Sequence, residues 1–289
     1  MTCTISLTIH NKANDFLNAC RQWLEREEIV NNLILGLAGR AAGGCQPAAP
    51  APVMITVANG AGLSAAAWMT PSRPVVLYAP GDEPGEALGQ IAYALQSGGH
   101  SVAGCVGPKA TAWAFAKAWT WQTGQSPLLR TAQRIYRLDK VVFPRGVAGQ
   151  ARRAQKTDLD LVAEWAYRFS REIGEPSDSQ DCRIAAEQSI AAGKVLLWED
   201  GGEPVSMASA CRPTTNGICI SRVYTPPQRR GHGYASACVA RLSQDELDTG
   251  WRFCCLYTDL ANPTSNSIYQ KIGYVPVADS SHYDFRGHA

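Results

Sequence analysis

The chain has 289 residues, of which 45% are hydrophobic and 18% charged, and 27 Lys and Arg against 25 Asp and Glu give a formal net charge of +2. At roughly 150 residues per domain, this predicts about two folded domains or one large one, and it excludes a disordered chain. The small basic surplus argues against a dedicated nucleic-acid binder, so any bound anion must be held by local groups.

The first residues and the cysteines bear on where the protein works. The start, MTCTISLTIHNKANDF, has no basic segment followed by a long apolar core, and no apolar run approaches the roughly 20 residues that span a bilayer. The ten cysteines contain no Cys-x-x-Cys pair. We therefore expect a cytoplasmic protein with no membrane partner, no metal and no disulfide framework, in which most cysteines are small buried hydrophobic residues.

The first half of the chain alternates between helical and strand periodicity. Apolar residues at three- and four-residue steps predict one helix over residues 13–38, and Gly, Pro and Ala predict a loop over 41–52. Asn59-Gly60 predicts a hairpin between two strands. The other predicted elements are strands at 53–58, 63–70, 75–79 and 102–106, and helices at 86–97 and 110–123, the last with Trp113, Trp119 and Trp121 as core residues.

The second half repeats this order of elements. Helices are predicted at 159–172, with Asp158 as N-cap, and at 181–192. They are followed by strands at 195–199, 204–211 and 218–225, a helix at 234–248, a strand at 253–258 and a helix at 264–272. Each half thus reads hairpin, third strand, helix, strand, helix. Pro144 and Gly146 mark a linker, which predicts domains at 1–143 and 144–289.

The segment between the strand ending at Thr225 and the helix starting at Tyr234 predicts a phosphate-binding loop. Its sequence is Thr-Pro-Pro-Gln-Arg-Arg-Gly-His-Gly, so two prolines stop the strand and Gly231 and Gly233 allow positive φ. Backbone N–H groups at such a helix N-terminus attract anions, and two arginines add positive charge. A plain tight turn is the alternative, while the dinucleotide and Walker patterns fail because Ser236 replaces the third glycine and no Gly-Lys-Ser/Thr follows.

The pattern Gln-x-x-Gly-x-Gly between strand and helix resembles the acyl-CoA loop of the GNAT acetyltransferase superfamily. A second motif follows it: a strand with Leu256-Tyr-Thr-Asp, then Asn262, then a helix with Ile-Tyr269, then Gly273-Tyr274. The two motifs in this order are similar to a bacterial tandem-GNAT type with a C-terminal catalytic domain. The resemblance implies two GNAT-like α/β (α+β) domains, each a mixed, mostly antiparallel sheet flanked by helices, the N-terminal one degenerate.

The resemblance also implies how acetyl-CoA or another acyl-CoA is held, without a metal. Backbone groups of one strand would pair with the pantetheine amides, and N–H groups of residues 228–235 would hold the pyrophosphate. Asn262 would bind the pantetheine arm, or only cap the helix expected from Thr264; Asn266 would lie nearby. The implied cofactor-binding residues are Val223, Tyr224, Thr225, Gln228, Arg229, Arg230, Gly231, His232, Gly233, Tyr234, Ala235, Asn262 and Asn266.

The resemblance places the general acid at Tyr269, which would protonate the leaving thiolate; a packed aromatic residue is the alternative. The oxyanion would take a backbone N–H of the third strand. That strand, Ile218–Tyr224, carries no carboxylate. The sequence therefore leaves the general base unassigned, with Glu203 and Asp259 as candidates that could act through water. His232 is expected to be a loop side chain, and Ser221 and Arg222 to shape the acceptor site.

In the first half, the corresponding loop is unsuited to a pyrophosphate. Pro80 and Pro84 lack N–H donors, and Asp82, Glu83 and Glu86 would repel phosphate. Together, the motifs of the second half and their resemblance to GNAT proteins predict an acyl-CoA-dependent N-acetyltransferase, a monomer or homodimer. It is expected to act by direct attack of a small-molecule or amino-acid amine. The alternative is a non-catalytic acyl-CoA-binding sensor.

Overall fold

The structure, a computed structural model, describes residues 5–44, 51–81, 84–175 and 177–287 and consists of two compact units. Unit 1 comprises the chain up to Ile135, Thr258–Asn262 and the segment from Val277 onward. Unit 2 comprises Tyr136–Tyr257 and Pro263–Pro276. The predicted division into a degenerate domain 1–143 and a catalytic domain 144–289 stays a prediction.

Unit 1 contains a mostly antiparallel sheet with strand order β1-β2-β3-β4-β5-β12, in which only β4 and β5 are parallel. Its strands are β1 (Ser6–His10), β2 (Val53–Asn59), β3 (Gly62–Met69), β4 (Val75–Tyr78), β5 (Gly104–Pro108) and most of β12 (Val275–Arg286). Its helices are α1 (Ala13–Leu24), α2 (Asn32–Ala42), α3 (Gly85–Ser97) and α4 (Lys109–Thr123). The strand β6 (Ser126–Leu138) begins in unit 1 and ends in unit 2.

Unit 2 repeats this arrangement, with strand order β6-β11-β10-β9-β8-β7 and a parallel pair formed by β10 and β11. Its strands are β7 (Gln150–Arg153), β8 (Val195–Asp200), β9 (Glu203–Cys211), β10 (Gly217–Tyr224) and most of β11 (Phe253–Asp259). Its helices are α5 (Leu159–Glu172), α6 (Ser179–Ala191), α7 (Tyr234–Asp248) and α8 (Pro263–Lys271). The predicted class, a mixed and mostly antiparallel sheet flanked by helices, is confirmed.

The single helix predicted over residues 13–38 is wrong, because the chain forms α1 and α2 with a 3₁₀ turn, Glu25–Glu27, after α1. The buried side chain of Asn31 donates a hydrogen bond from Nδ2 to the Leu24 carbonyl (2.9 Å). This bond satisfies a carbonyl at the end of α1 that would otherwise lack a partner. The apolar periodicity continues through the break because both helices pack on the same core.

The prediction that three tryptophans of α4 belong to the core holds for Trp119 alone. Trp119 is 3% exposed, whereas Trp113 is 45% and Trp121 92% exposed. A helix turns by about 100° per residue, so Trp121 points about 200° away from Trp119. Only the face of α4 that carries Ala112, Phe115 and Trp119 packs on the sheet. The predicted N-cap of α5 is not formed as expected. Asp158 precedes α5 but makes no side-chain cap there; its carboxylate accepts a hydrogen bond from the Gln155 N–H instead (2.7 Å).

Four strands have no counterpart among the predicted elements: β1, β6, β7 and β12. Of these, β12 completes the sheet of unit 1, since Ser280–Asp284 pair antiparallel with Gly104–Pro108 of β5. Seven of the eight described cysteines are buried, which confirms the prediction that most cysteines are small buried hydrophobic residues. Cys3 and Cys45 lie outside the described residues. No described helix combines the length and the apolar character needed to cross a bilayer.

The close packing of β12 on β5 gives a stability prediction for Gly104. A Cβ at this position would lie 2.2 Å from the Tyr283 carbonyl oxygen, so Gly104→Ala forces β12 away from β5. We expect a loss of about 1–3 kcal/mol in the unfolding free energy, as for other overpacked sites. In α3, a Cβ at Gly89 would meet no atom within 4 Å, so the matched control Gly89→Ala stabilises by about 0.5–1 kcal/mol.

Calorimetric unfolding measures both effects. A Gly104→Ala protein that unfolds at the wild-type temperature would show that β12 does not pair with β5 in solution.

Candidate active site

The candidate site of unit 2 begins where the pairing of β10 with β11 ends. The two parallel strands pair at only three positions, from Gly217 opposite Phe253 to Cys219 opposite Cys255. Beyond this point β10 continues to Tyr224 and β11 continues past Leu256. Backbone groups on the facing edges therefore leave the ladder while the strands are still extended, which suits an extended ligand that supplies amide partners.

A bulge in β10 lies directly after this point. The register with β9 runs from Ser221 opposite Ser209 to Tyr224 opposite Met207, so β10 has one extra residue. Arg222 in the bulge has φ of +49°, in the left-handed region that side-chain-bearing residues rarely adopt. A bulge bends its strand and redirects the side chains around it.

The strand segment predicted to pair with pantetheine follows the bulge. Val223 is half-buried, whereas Tyr224 and Thr225 are buried. The Tyr224 carbonyl accepts a hydrogen bond from Ser206 Oγ (3.2 Å), and the Thr225 hydroxyl bonds to the same Ser206 oxygen (2.8 Å). These bonds fix the direction in which the chain enters the loop.

The loop after Thr225 is exposed from Pro227 to Gly233 and ends in a helix that no side chain caps. Gly231 and Gly233 have φ of +86° and +81°. Gln228 lies in a 3₁₀ turn, Pro227–Arg229, and α7 makes its first intrahelical bond from the Ala237 N–H to the Gly233 carbonyl (3.0 Å). Within the described parts of the chain, no acceptor is bonded to the backbone N–H groups of residues 231–236.

These N–H groups include those of Ala235 and Ser236 in the first helical turn. The turn also brings the positive end of the α7 dipole to the loop, which favours a bound anion. A Cβ built on Gly231 meets no atom within 4 Å, so the space in front of this residue is open to a ligand. The N–H groups of Arg229 and Arg230 are used within the turn, donating to the Pro226 and Pro227 carbonyls.

Arg230 ties the loop to its own start and to α5. Its Nε donates to the Thr225 carbonyl (2.9 Å), and its Nη2 donates to both carboxylate oxygens of Glu172 on α5 (2.7 and 2.8 Å). The charge of Arg230 is thus paired with a carboxylate. The exposed Arg229 remains as the loop arginine that can face an anionic ligand.

His232 and Tyr234 fix the loop from its other side. Nδ1 of His232 donates to the Arg230 carbonyl (2.9 Å), because a carbonyl can only accept, and the imidazole stacks on the Tyr234 ring (5.4 Å, 11°). The Tyr234 hydroxyl donates to Asp200 at the end of β8, and this bond raises the pKa of Tyr234. His232 is therefore placed as a side chain that shapes the loop.

Tyr269 on α8 lies near enough to Cys219, the last β10 residue paired with β11, for the thiol to act on its hydroxyl. Its ring is half-buried between Tyr136 (6.5 Å) and Tyr274 (5.9 Å). Burial raises the pKa of its hydroxyl to about 12, and the nearby thiol of Cys219 adds to the shift. No residue in the described part of the chain is hydrogen-bonded to the Tyr269 hydroxyl, in contrast to Tyr274, which bonds to Ser243 (2.8 Å). The hydroxyl is therefore a neutral donor available to a ligand.

The two asparagines of the second motif have different surroundings. Asn266 on α8 accepts a hydrogen bond from the Tyr136 hydroxyl at Oδ1 (2.9 Å), which fixes its amide. Asn262 lies in the turn just before α8, where its backbone N–H donates to the Asp259 carbonyl (3.0 Å). The helix begins at Pro263, one residue earlier than the predicted start at Thr264.

A row of three thiols was missed because the cysteines are distant in sequence. Cys211, Cys219 and Cys255 occupy directly opposite positions on β9, β10 and β11. Nη2 of Arg212 donates to the Cys219 sulfur (2.8 Å), and its guanidinium lies 5.7 Å from the Tyr257 ring centre. The hydrogen bond with Cys211 favours the Cys219 thiolate, but hydrogen bonding to Cys255 and burial outweigh it and raise the Cys219 pKa to about 12.

Neither candidate base lies on β10. Glu203 is exposed at the start of β9, six residues from Ser209, which faces Ser221. At roughly 3.3 Å per residue it is about 20 Å from that point, too far for direct proton transfer. Asp259 is exposed and accepts a hydrogen bond from the Ala261 N–H (2.8 Å) in the turn before α8. Among the described residues, no group of His, Cys, Asp or Glu is arranged to hold a metal ion.

Comparisons with known proteins agree with this geometry. Residues 159–274, which include β10, the loop, α7, β11 and Tyr269, match the family model "Acetyltransferase (GNAT) family". This part of the chain belongs to the GNAT family. The predicted resemblance is thereby confirmed, and GNAT domains use acetyl-CoA. A comparison with curated protein sequences gave no match.

Solved structures show that the GNAT fold extends over the whole chain. A GCN5-related N-acetyltransferase from Sphaerobacter thermophilus has a TM-score of 0.64 at 14% identity, covering 99% of this chain and 97% of that one. A GNAT-family acetyltransferase from Colwellia psychrerythraea has a TM-score of 0.63 at 12% identity, and the match covers 97% of this chain and 100% of that one. A tandem GNAT protein from the clavulanic acid biosynthesis pathway has a TM-score of 0.57 at 13% identity, and the match covers 99% of this chain and 100% of that one. The predicted tandem arrangement of the fold is thus confirmed.

The open space at Gly231 gives a prediction for CoA affinity. Gly231→Asp adds bulk and negative charge in front of the loop N–H groups, so we expect the Kd for CoA to rise more than tenfold. Gly233 is less suitable, because its Cβ would lie 3.0 Å from Val147 Cγ2 and disturb packing. Gly250→Asp is the matched control, since Gly250 also has positive φ (+107°) and open space but lies beyond the other end of α7.

Titration calorimetry with CoA measures both variants. Equal affinities in the two folded variants would contradict the assignment of this loop.

Proposed function

We propose that this protein is an acyl-CoA-dependent N-acyltransferase that transfers acetyl from acetyl-CoA to a primary amine of a small molecule or amino acid. Transfer takes place by direct attack while both substrates are bound. The proposal rests on one observation. The β10–β11 pairing ends between a loop whose N–H groups lack a side-chain cap and attract anions, and the neutral hydroxyl of Tyr269, which bonds to no described residue. A long ligand with a phosphate end and a thioester end matches that order of features.

The proposed roles follow from where the groups lie. N–H groups of Gly231, Gly233 and Ala235 hold the pyrophosphate, and the backbone of Val223–Thr225 pairs with the amides of the pantetheine arm. Tyr269 donates a hydrogen bond to the sulfur as the C–S bond breaks. A backbone N–H released from the ladder by the β10 bulge is the candidate oxyanion donor.

A second candidate function is supported by the lack of a carboxylate on β10. A protein that binds acyl-CoA without turning it over would act as a sensor. Incubation of the protein with acetyl-CoA and a panel of amines distinguishes the two, with mass spectrometry of acetylated products beside thiol detection. Tight CoA binding with no product from any amine would favour the sensor.

Tyr269→Phe tests the role of the hydroxyl. The ring packing with Tyr136 and Tyr274 is retained, so we expect unchanged CoA affinity and a 10- to 100-fold lower kcat, the usual effect of losing one such donor. Single-turnover kinetics measure it. Wild-type turnover under conditions where chemistry limits the rate would make Tyr269 a packing residue.

The pH dependence follows from the same group. Because the folded-state pKa of Tyr269 is raised to about 12, the hydroxyl stays protonated through pH 10. An amine with a pKa near 10 loses its proton over the same range, so its free-base fraction rises with pH. We therefore expect kcat/KM to increase from pH 7 to 10 without a descending limb. A fall that begins near pH 9 and disappears in Tyr269→Phe would contradict the shifted pKa.

Unit 1 supports a structural role for the first half. Its parallel strands pair at two positions, Val75–Cys105 and Val76–Val106, and stay close at the next one, since a Cβ at Gly107 of β5 would lie 2.4 Å from the Leu77 carbonyl oxygen of β4. The β3–β4 register has no shift where β9–β10 has a bulge. Pro84 precedes α3 and lacks an N–H donor, while Asp82 and Glu83 lie outside the described residues.

We therefore expect one CoA per chain. Titration at saturating ligand gives the stoichiometry, and Gly231→Asp should remove the whole binding signal. Two equal sites per chain, or a residual full-affinity site in Gly231→Asp, would mean that unit 1 binds CoA as well.

A further inference from the structure

Arg222 occupies a backbone conformation that disfavours it. It is one of three non-glycine residues with positive φ in the described part of the chain, with Ser72 and Arg212. Glycine is the residue that fits this position of a bulge without strain, and another residue there costs roughly 1–3 kcal/mol. An arginine in such a strained position suggests a role for its side chain.

The guanidinium of Arg222 is weakly engaged. Its one hydrogen bond to a described residue runs from Nη1 to Ser189 Oγ of α6, at the long distance of 3.4 Å. No ion pair joins it to a described carboxylate. The charged groups at the start of α6 are Asp178 and Asp181, which, like Arg222, act on the Cys182 thiol. Six other arginines of unit 2 pair with carboxylates: Arg152, Arg153, Arg168, Arg183, Arg230 and Arg241.

Arg222 is also close to the proposed point of acyl transfer. It follows Ser221 on β10, three residues after Cys219, where the pairing with β11 ends. The charge of Arg222 acts on the Cys211 thiol, and Cys211 lies directly opposite Cys219. The Cys219 thiol in turn acts on the Tyr269 hydroxyl. A half-buried cation without a carboxylate partner is thus placed on the α6 side of the strand that carries the proposed thioester site.

We propose that Arg222 binds the carboxylate of the acceptor, so that the acceptor is an amine carrying an anionic group, as amino acids do. This inference rests on the proposed function. A guanidinium binds a carboxylate or phosphate through two parallel N–H bonds, and such a bond pair is strong when partly desolvated. In the reaction, the acceptor nitrogen bonds to the carbonyl carbon, the C–S bond breaks, and the proton lost by nitrogen balances the proton gained by sulfur.

The test uses matched acceptors that differ by one charged group. L-Phenylalanine is compared with phenethylamine, L-leucine with isopentylamine, and O-phosphoethanolamine with ethanolamine, each with acetyl-CoA and the wild-type chain. We expect kcat/KM for the carboxylated member to exceed that of its partner at least tenfold. A preference confined to the phosphate pair would identify phosphate as the recognised anion and overturn the carboxylate assignment.

Three substitutions locate the effect. Arg222→Gly removes the side chain and suits the positive φ, so misfolding does not account for a lost activity; Arg222→Lys keeps the charge but loses the paired donors. We expect Arg222→Gly to raise KM for carboxylated acceptors 10- to 100-fold, with unchanged CoA affinity and a much smaller change in KM for the matched neutral amines. Arg222→Lys should lie between. The matched control is Arg183→Gln, which removes an exposed arginine of α6 that pairs with Asp160.

Failure of this inference is distinguishable from failure of the proposed function. If neutral and carboxylated amines are acetylated equally well, or Arg222→Gly leaves the preference intact, the protein is an acetyltransferase and the assignment of Arg222 is wrong. If no amine is acetylated, the anion site is tested by calorimetric titration of the CoA complex with L-phenylalanine and L-leucine. Binding lost in Arg222→Gly supports the anion site without catalysis, and binding that is absent or unaffected overturns it.

Discussion

The early end of the pairing between β10 and β11 is the constraint on which the site depends. Buried backbone groups need partners, and two strands that leave their ladder while still extended need something between them. The sequence enforces this end in two ways. An extra residue in β10 bends the strand at Ser221–Tyr224, and Pro226 and Pro227 end it without N–H donors. Arg230 then fastens the loop back to Thr225, so the free N–H groups of the helix start are held in a fixed position.

The two units show that this element order alone does not make such a site. Unit 1 has the same hairpin, third strand, helix, strand and helix, and its β4–β5 pair is also parallel. There, however, the backbones of Leu77 and Gly107 approach so closely that only a glycine fits. In unit 2, β10 has a bulge against β9 just after its pairing with β11 ends, whereas the register of β3 with β4 in unit 1 has no shift. Local strand chemistry therefore separates the units, and the shared topology does not.

Sequence reasoning located what depends on local signals. Helix α7 was predicted with its observed bounds, Tyr234–Asp248, because glycines and prolines mark its start and the apolar periodicity continues to its end. The elements it missed depend on distant partners: β12 pairs with β5 across more than half of the chain, and its mixed sequence carries no clear alternation. The thiol row and the contacts of Arg222 were invisible for the same reason, since strand register brings together residues that no spacing in the sequence connects.

Proton balance limits what Tyr269 can do. A CoA-type thiol has a pKa near 8.5, whereas burial raises that of Tyr269 to about 12, so complete transfer of the tyrosine proton to the thiolate runs uphill by roughly three pKa units. The hydroxyl is therefore better suited to stabilise the departing sulfur by a hydrogen bond than to lose its proton. The proton that the amine releases must then reach sulfur or solvent by another route. With no carboxylate on β10, we propose that this proton leaves through water, which would favour acceptors whose nitrogen is already deprotonated when it meets the thioester.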